Sequence, residues 1–329
     1  MLRRLFGQER ISQAEAIRPR TARRIDRPAL DRGSGLIAHV PELGFIGRQA
    51  VSPNGRYVLL WRDGDDSGGR GGARDAGPGR YVLIDDDRVV AEGRAARPND
   101  GLVADTGVFV LNDWRFGAAL AGTFLAFAPD GRQILARPFA ANLFNNGLSA
   151  DGRRAVCQTC NAPGSPDSSR LTFFDLGRGV ETGSCVPDSG WASSYEFPER
   201  GDVVRLRYLG GRVYDYAVDG RFIGRDAWAA AAVAEGDLPV MRRLLDETGD
   251  ATPQTLEAMR DSLTDTLANM SGVDPSHRAL ALRLKGQCCE RLGDVEAALR
   301  AYDAALANDP KIGVKRQADR LRKRLSQAG

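Results

Sequence analysis

The chain has 329 residues, with 46 Lys and Arg against 43 Asp and Glu, 38 Gly, 16 Pro, 5 Cys and only 2 His. That length buries a sizeable core as one large or two medium domains, and the 42% hydrophobic and 27% charged fractions exclude a disordered or fibrous chain. The formal net charge of +3 conceals basic ends: residues 1–33 hold nine Arg and four acids, and residues 311–329 hold seven basic residues and one Asp, so the stretch between them is acidic.

Residues 1–33 lie outside every repeat and are predicted to be a basic, flexible arm. The opening Met1-Leu2-Arg3-Arg4-Leu5-Phe6-Gly7 lacks an apolar stretch, so no secretory signal is expected. The longest uncharged run, 116–129, has 14 residues against the ~20 of a spanning helix. An odd number of Cys, two of them adjacent, disfavours a disulfide framework. A cytoplasmic protein without membrane insertion is expected.

From about residue 34 to 226, short apolar runs alternate with Gly-containing turns. The first set of turns is Ser52-Pro53-Asn54-Gly55-Arg56, Ala104-Asp105-Thr106-Gly107, Ser149-Ala150-Asp151-Gly152-Arg153 and Pro198-Glu199-Arg200-Gly201. Their glycines are 52, 45 and 49 residues apart. Asn-Gly and Asp-Gly suit tight hairpins because both residues tolerate positive φ. Each unit offers a second hairpin, around Asp85–Arg88, Asp130-Gly131-Arg132, Asp175–Arg178 and Asp219-Gly220-Arg221. Four strands per ~45–50 residues, repeated, is the pattern of propeller blades. These hairpins resemble those of WD40-like and TolB-like bacterial propellers over about residues 45–226, although no Gly-His or Trp-Asp pair of a true WD40 repeat is present. The resemblance implies a small β-propeller-like domain of about four blades, with Gly35–Val40 as a candidate closing strand. An antiparallel β-sandwich followed by a helical bundle is the alternative.

Two segments in this region invite chemistry. Residues 63–80 are Gly-rich and polar and are predicted to be a flexible excursion. Their Asp63-x-Asp65-x-Ser67-Gly68 is similar to the start of a calcium loop, but Arg74 stands where an acid is required. Cys157-Gln158-Thr159-Cys160 is a CxxC pair, and zinc needs four ligands. Cys157 and Cys160 are weak metal candidates; two ordinary cysteines is the plainer reading, and no metal or cofactor is assigned.

Beyond Asp226 the strand pattern gives way to six predicted helices, at about 226–235, 238–247, 253–269, 275–292, 295–308 and 312–326, which make 227–329 an α-helical domain. Asp237, Thr252 and Asp274 are N-cap candidates, the last two followed by Pro. In the fifth helix, Val295, Ala298, Leu299, Tyr302, Ala305 and Leu306 form one apolar stripe. Residues 278–310 resemble a tetratricopeptide (TPR) repeat: Gly286 at the close-contact position, Ala298 and Ala305 at the small positions, Tyr302 at the aromatic position, and Pro310 at the end. Leu282 and Cys289 depart from the family's usual Trp and Tyr. The resemblance implies a short TPR-like array that binds a protein or peptide through Leu280, Arg283, Gln287, Glu290, Arg291 and Lys311.

No phosphate loop, dinucleotide fingerprint or metalloprotease His pair is present. A non-catalytic interaction scaffold or adaptor is therefore expected, with a homo-oligomer as a possible state. A binder of nucleic acid or another anionic surface through the basic termini is the alternative, and a propeller hydrolase stands behind both.

Overall fold

Runs such as Tyr57-Val-Leu-Leu-Trp61, rich in β-branched and aromatic residues and ended by turn formers, fold as antiparallel meanders. The computed structural model describes residues 16–17, 24, 37–64, 71–118, 120–199, 201–246, 251–270 and 272–328. They form four antiparallel sheets followed by six helices. The chain divides into two compact units, Met1–Ile223 and Gly224–Gly329.

The first sheet contains β1 (Ala16–Ile17), β2 (Ile37–Val40), β3 (Phe45–Val51), β4 (Tyr57–Arg62), β5 (Gly79–Asp85) and β6 (Arg88–Ala95), in the order β1-β6-β5-β4-β3-β2. The other three keep sequence order. They are β7 (Arg97–Val103) to β8 (Phe109–Trp114), β9 (Gly122–Phe127) and β10 (Gln133–Phe139); β11 (Leu143–Leu148) to β12 (Arg154–Thr159), β13 (Leu171–Asp175) and β14 (Val180–Cys185); and β15 (Ser194–Glu196) to β16 (Val203–Arg207), β17 (Val213–Ala217) and β18 (Phe222–Ile223).

The recurring turns join β3 to β4 in the first sheet and the first two strands of each of the other three. At Ser52, the hydroxyl bonds the Asn54 side chain and accepts from the Tyr57 amide, while Asn54 Oδ1 accepts from the Arg56 amide. Ser149, Asp151, Arg153 and Arg154 repeat the arrangement. Gly55 and Gly152 sit at φ 73° and 72°, a region open to glycine. Successive turns are also bonded to one another. The Asn54 amide donates to Asp105 Oδ1 at 2.7 Å, the Asp105 amide to the Ala150 carbonyl at 2.8 Å, and the Arg154 guanidinium to the Pro198 and Gly201 carbonyls. Equivalent ends of consecutive sheets therefore lie together.

Alternating residues bury both faces of the inner sheets. Leu59, Tyr81 and Leu83 of the first sheet pack with Phe109, Leu111 and Phe127 of the second. Val110 and Phe124 meet Ala155, Cys157 and Phe174 of the third, with the Phe124 and Phe174 rings stacked at 4.6 Å. Val156, Leu171 and Phe173 meet Val204, Leu206 and Tyr216 of the fourth.

Two sequence expectations change. Ile37–Val40 does not close a ring: it pairs with β3 inside the first sheet, and among the described residues no strand pairing joins the first sheet to the last. The supposed loose excursion is anchored at Asp63, Gly72, Arg74 and Gly77; residues 65–70 lie outside the described residues. Asp63 accepts from the Gly72 amide at 2.7 Å and from Arg74 Nη1 at 2.6 Å, and Arg97 Nε lies 3.3 Å away. Arg74 also donates to the carbonyls of Asp63, Gly72, Gly77 and Ala96. The basic arm predicted for 1–33 lies outside the described residues, apart from Ala16–Ile17 and Arg24.

The second unit contains α1 (Arg225–Ala234), α2 (Leu238–Asp246), α3 (Pro253–Asn269), α4 (Pro275–Arg291), α5 (Val295–Asn308) and α6 (Lys315–Ala328). Thr252, Asp274 and Asp294 cap α3, α4 and α5 through their side chains, and Asp237 accepts from the Val240 amide. The last helix starts at Lys315 rather than 312 because Gly313 has φ 86° and breaks the helical path. One core joins α1 to α4, and a second joins α4, α5 and α6 through Cys289, Ala298, Tyr302, Ala305, Val314, Ala318 and Leu321. Among the described residues no helix is long and apolar enough to cross a membrane.

Candidate functional site

The antiparallel pair α4–α5 is set by one glycine. A Cβ on Gly286 would stand 2.5 Å from Tyr302 Cε1, so only hydrogen lets the two helices approach this closely. The Tyr302 hydroxyl reaches across to donate to Glu290 Oε2 at 2.8 Å. Burial, with the adjoining Glu290 carboxylate, pushes the Tyr302 phenol above its ordinary range.

Along the same face of α4, Arg283, Gln287 and Glu290 fall at i, i+4 and i+7. Arg283 Nη1 donates to the Ile312 carbonyl at 3.2 Å, and Glu290 also pairs with Arg320 of α6. The face therefore turns toward α6. Between these anchors lie three buried polar atoms without a hydrogen-bond partner among the described residues: Arg283 Nε, Gln287 Oε1 and Gln317 Oε1. Gln317 escaped the sequence reading; its signal was one neutral amide in the predominantly basic segment Lys315–Arg324.

The other expected groove residues are placed differently. Leu280 is half-buried against the α1–α4 core. Arg291 donates to the Leu245 carbonyl of α2. Lys311 is exposed, and its backbone amide is held by Asp309 at 2.8 Å. Arg283 and Arg291 thus each already donate to a backbone carbonyl of a neighbouring segment.

In the β unit, the tetrads Asn99-Asp100-Gly101-Leu102 and Asn145-Asn146-Gly147-Leu148 repeat 46 residues apart, another signal missed in the sequence. They place polar residues on β7 and β11, the first strands of neighbouring sheets. Asn146 Nδ2 donates to Asp100 Oδ2 at 3.0 Å, and Cys157 Sγ lies 3.7 Å from Asn112 Oδ1. Asp100 pairs in register with Asn112, and Cys157 with both Asn146 and Thr172. The result is a polar seam between the second and third sheets. Asn112 Nδ2, Asn146 Oδ1 and Thr172 Oγ1 are buried there without partners among the described residues. Desolvation raises the Asp100 carboxyl to about 6. Asp113 is likewise raised to about 6 by burial, although it accepts from the Ala96 and Arg97 amides.

The CxxC pair is divided by this packing. Cys157 is fully buried and Cys160 partly exposed, and burial holds both thiols above their ordinary range. A reactive cysteine needs a stabilised thiolate, and the surroundings do the reverse. Among the described residues no three His, Cys, Asp or Glu side chains gather as a metal site.

Searched against known families and curated proteins, the chain matches no family model and no curated protein.

Proposed function

We propose that the chain is a non-catalytic interaction protein, a β-propeller-like stack of four sheets joined to a short TPR-like array, and that it captures an extended peptide on the α4–α6 face. The observation that carries this reading is the set of three buried polar atoms, on Arg283, Gln287 and Gln317, that have no hydrogen-bond partner among the described residues. An unsatisfied buried polar group costs about 1–3 kcal/mol, so a partner that pairs with it gains correspondingly. Because these atoms are buried where α4 faces α6, the peptide reaches them by displacing α6, and its extended backbone then supplies N–H donors for the two glutamine oxygens and a carbonyl for Arg283 Nε. The close Gly286–Tyr302 contact and the small residues Ala298 and Ala305 support the TPR-like reading, and the sheet-on-sheet packing in chain order supports a propeller-like stack over a two-layer sandwich.

The test is affinity capture from the native host, comparing the wild-type chain with the Gln287→Ala, Gln317→Ala double variant by quantitative mass spectrometry. A specific partner is expected to fall at least tenfold while the thermal midpoint stays within a few degrees. Equal recovery by both proteins would sink this assignment.

A second reading keeps some support. Lys315, Arg316, Lys323 and Arg324 are cationic side chains on α6, and all four are exposed. They suit an anionic surface or nucleic acid.

A further inference from the structure

A groove of about 1160 Å³ runs between α1 and α3 of the second unit. It is separate from the α4–α6 face, and nothing in the sequence reading assigned it. Its floor is built of small side chains, with Ala229, Ala230 and Ala234 on α1 facing Ala258 on α3. Small residues on both walls let another backbone come close. The two helices are tied to each other where Ser262 donates to the Val233 carbonyl at 2.5 Å. The volume matches two to three turns of a helix ~10 Å across.

The charge along the groove is one-sided. Asp226, Glu235 and Asp265 line it, against Arg225. All three acids are exposed. An occupant with cations beside its apolar face would gain on both counts, while an acidic one would be repelled. The basic helix α6 is not that occupant, because its own apolar residues Val314, Ala318 and Leu321 are already buried in the α4–α6 core.

We infer that the α1–α3 groove receives an amphipathic helix of another protein, with a small apolar face flanked by Lys or Arg. This is the helix-in-groove mode of recognition, in which residues at i, i+3, i+4 and i+7 fill the groove and the flanks select the partner. The groove then acts as a second docking surface, independent of the peptide face.

The test displays a library of 16-residue helical peptides to the full chain. Their apolar face is fixed as Ala and Leu, and their flanking positions vary among Lys, Arg, Glu and Asp. Basic flanks are expected to be enriched at least tenfold over acidic ones. Binding of a selected peptide should saturate, weaken at least tenfold in Ala230→Trp and in Ala258→Trp, and remain unchanged in the Gln287→Ala, Gln317→Ala variant. Ala230 and Ala258 are exposed, and circular dichroism melting checks that each variant folds. Absence of enrichment, preference for acidic flanks, or binding indifferent to both Trp variants would overturn the inference. So would a dimer of the free chain that Ala258→Trp disperses, since a second copy would then be the occupant. A peptide of residues 1–33 that outcompetes every selected sequence would likewise assign the groove to the chain itself.

Discussion

Gly286 concentrates more constraint than any charged residue around it. Its missing Cβ is what leaves room for the Tyr302 ring, so Gly286→Ala must move a buried aromatic. Overpacking of this kind costs about 1–3 kcal/mol. Chemical denaturation is expected to show that loss, with much of it recovered when Tyr302→Leu is added; a silent Gly286→Ala would contradict the contact. Asp100 offers a test in pH. Its carboxyl holds the proton more tightly in the fold than in the unfolded chain, where the value is 3.8. The stabilisation from protonated Asp100 is therefore full below about pH 4 and is lost as pH rises through about 6. Relative to Asp100→Asn, the wild-type chain should lose about 2 kcal/mol of stability between pH 4 and pH 7. Parallel unfolding curves at both pH values would refute this. The arginines were the residues hardest to read in sequence. Arg283 and Arg291 look like surface cations in a linear pattern, yet both donate to backbone carbonyls of neighbouring helices. Their replacement by Glu should destabilise the helical unit as well as affect binding.

Helices and hairpins were legible because their signals are local. Caps lie within three residues of the amides they serve, and the 3.6-residue period of Val295–Leu306 needs no knowledge of the fold. Asp294→Ala removes the acceptor for the Ala297 amide and is expected to cost about 1 kcal/mol, measured as a shift in the denaturation midpoint. An unchanged midpoint would mean that the cap is already solvated. What the sequence concealed is long-range. The segment after Asp63 reads as loose because its composition is Gly-rich, and its ties beyond itself, Arg74 to the Ala96 carbonyl and Asp63 to Arg97, span 22 and 34 residues. The polar seam was hidden for the same reason: Asp100 and Asn146 are 46 positions apart and meet only when two sheets stack. Gly35–Val40 reads as a candidate closing strand from its position before the first unit, but for Ile37–Val40 hydrogen bonding to β3 is available sooner along the chain.

At the scale of the whole molecule, the basic C-terminal helix is partly neutralised by the acids it packs beside. Arg320 pairs with Glu290, and Arg322 with Asp303 and Asp319, so the described C-terminal helix spends part of its charge internally. If the ends bind nucleic acid, affinity for a short duplex should fall steeply between 50 and 200 mM salt, and reversal of Lys315, Arg316, Lys323 and Arg324 should flatten the slope. Salt-independent binding would remove that reading. The bonds between successive turns have an evolutionary consequence. Each turn is tied to the next one in sequence: Asn54 to Asp105, and Asp105 to Ala150. Deleting the unit between them sets the Asn54 amide beside the Ala150 carbonyl, the acceptor that the Asp105 amide uses, and duplicating it supplies both partners again. Recombination in whole units of ~45–50 residues thus preserves the links, whereas a cut inside a unit breaks them, so the number of sheets can change among descendants of this gene more easily than the length of any one sheet.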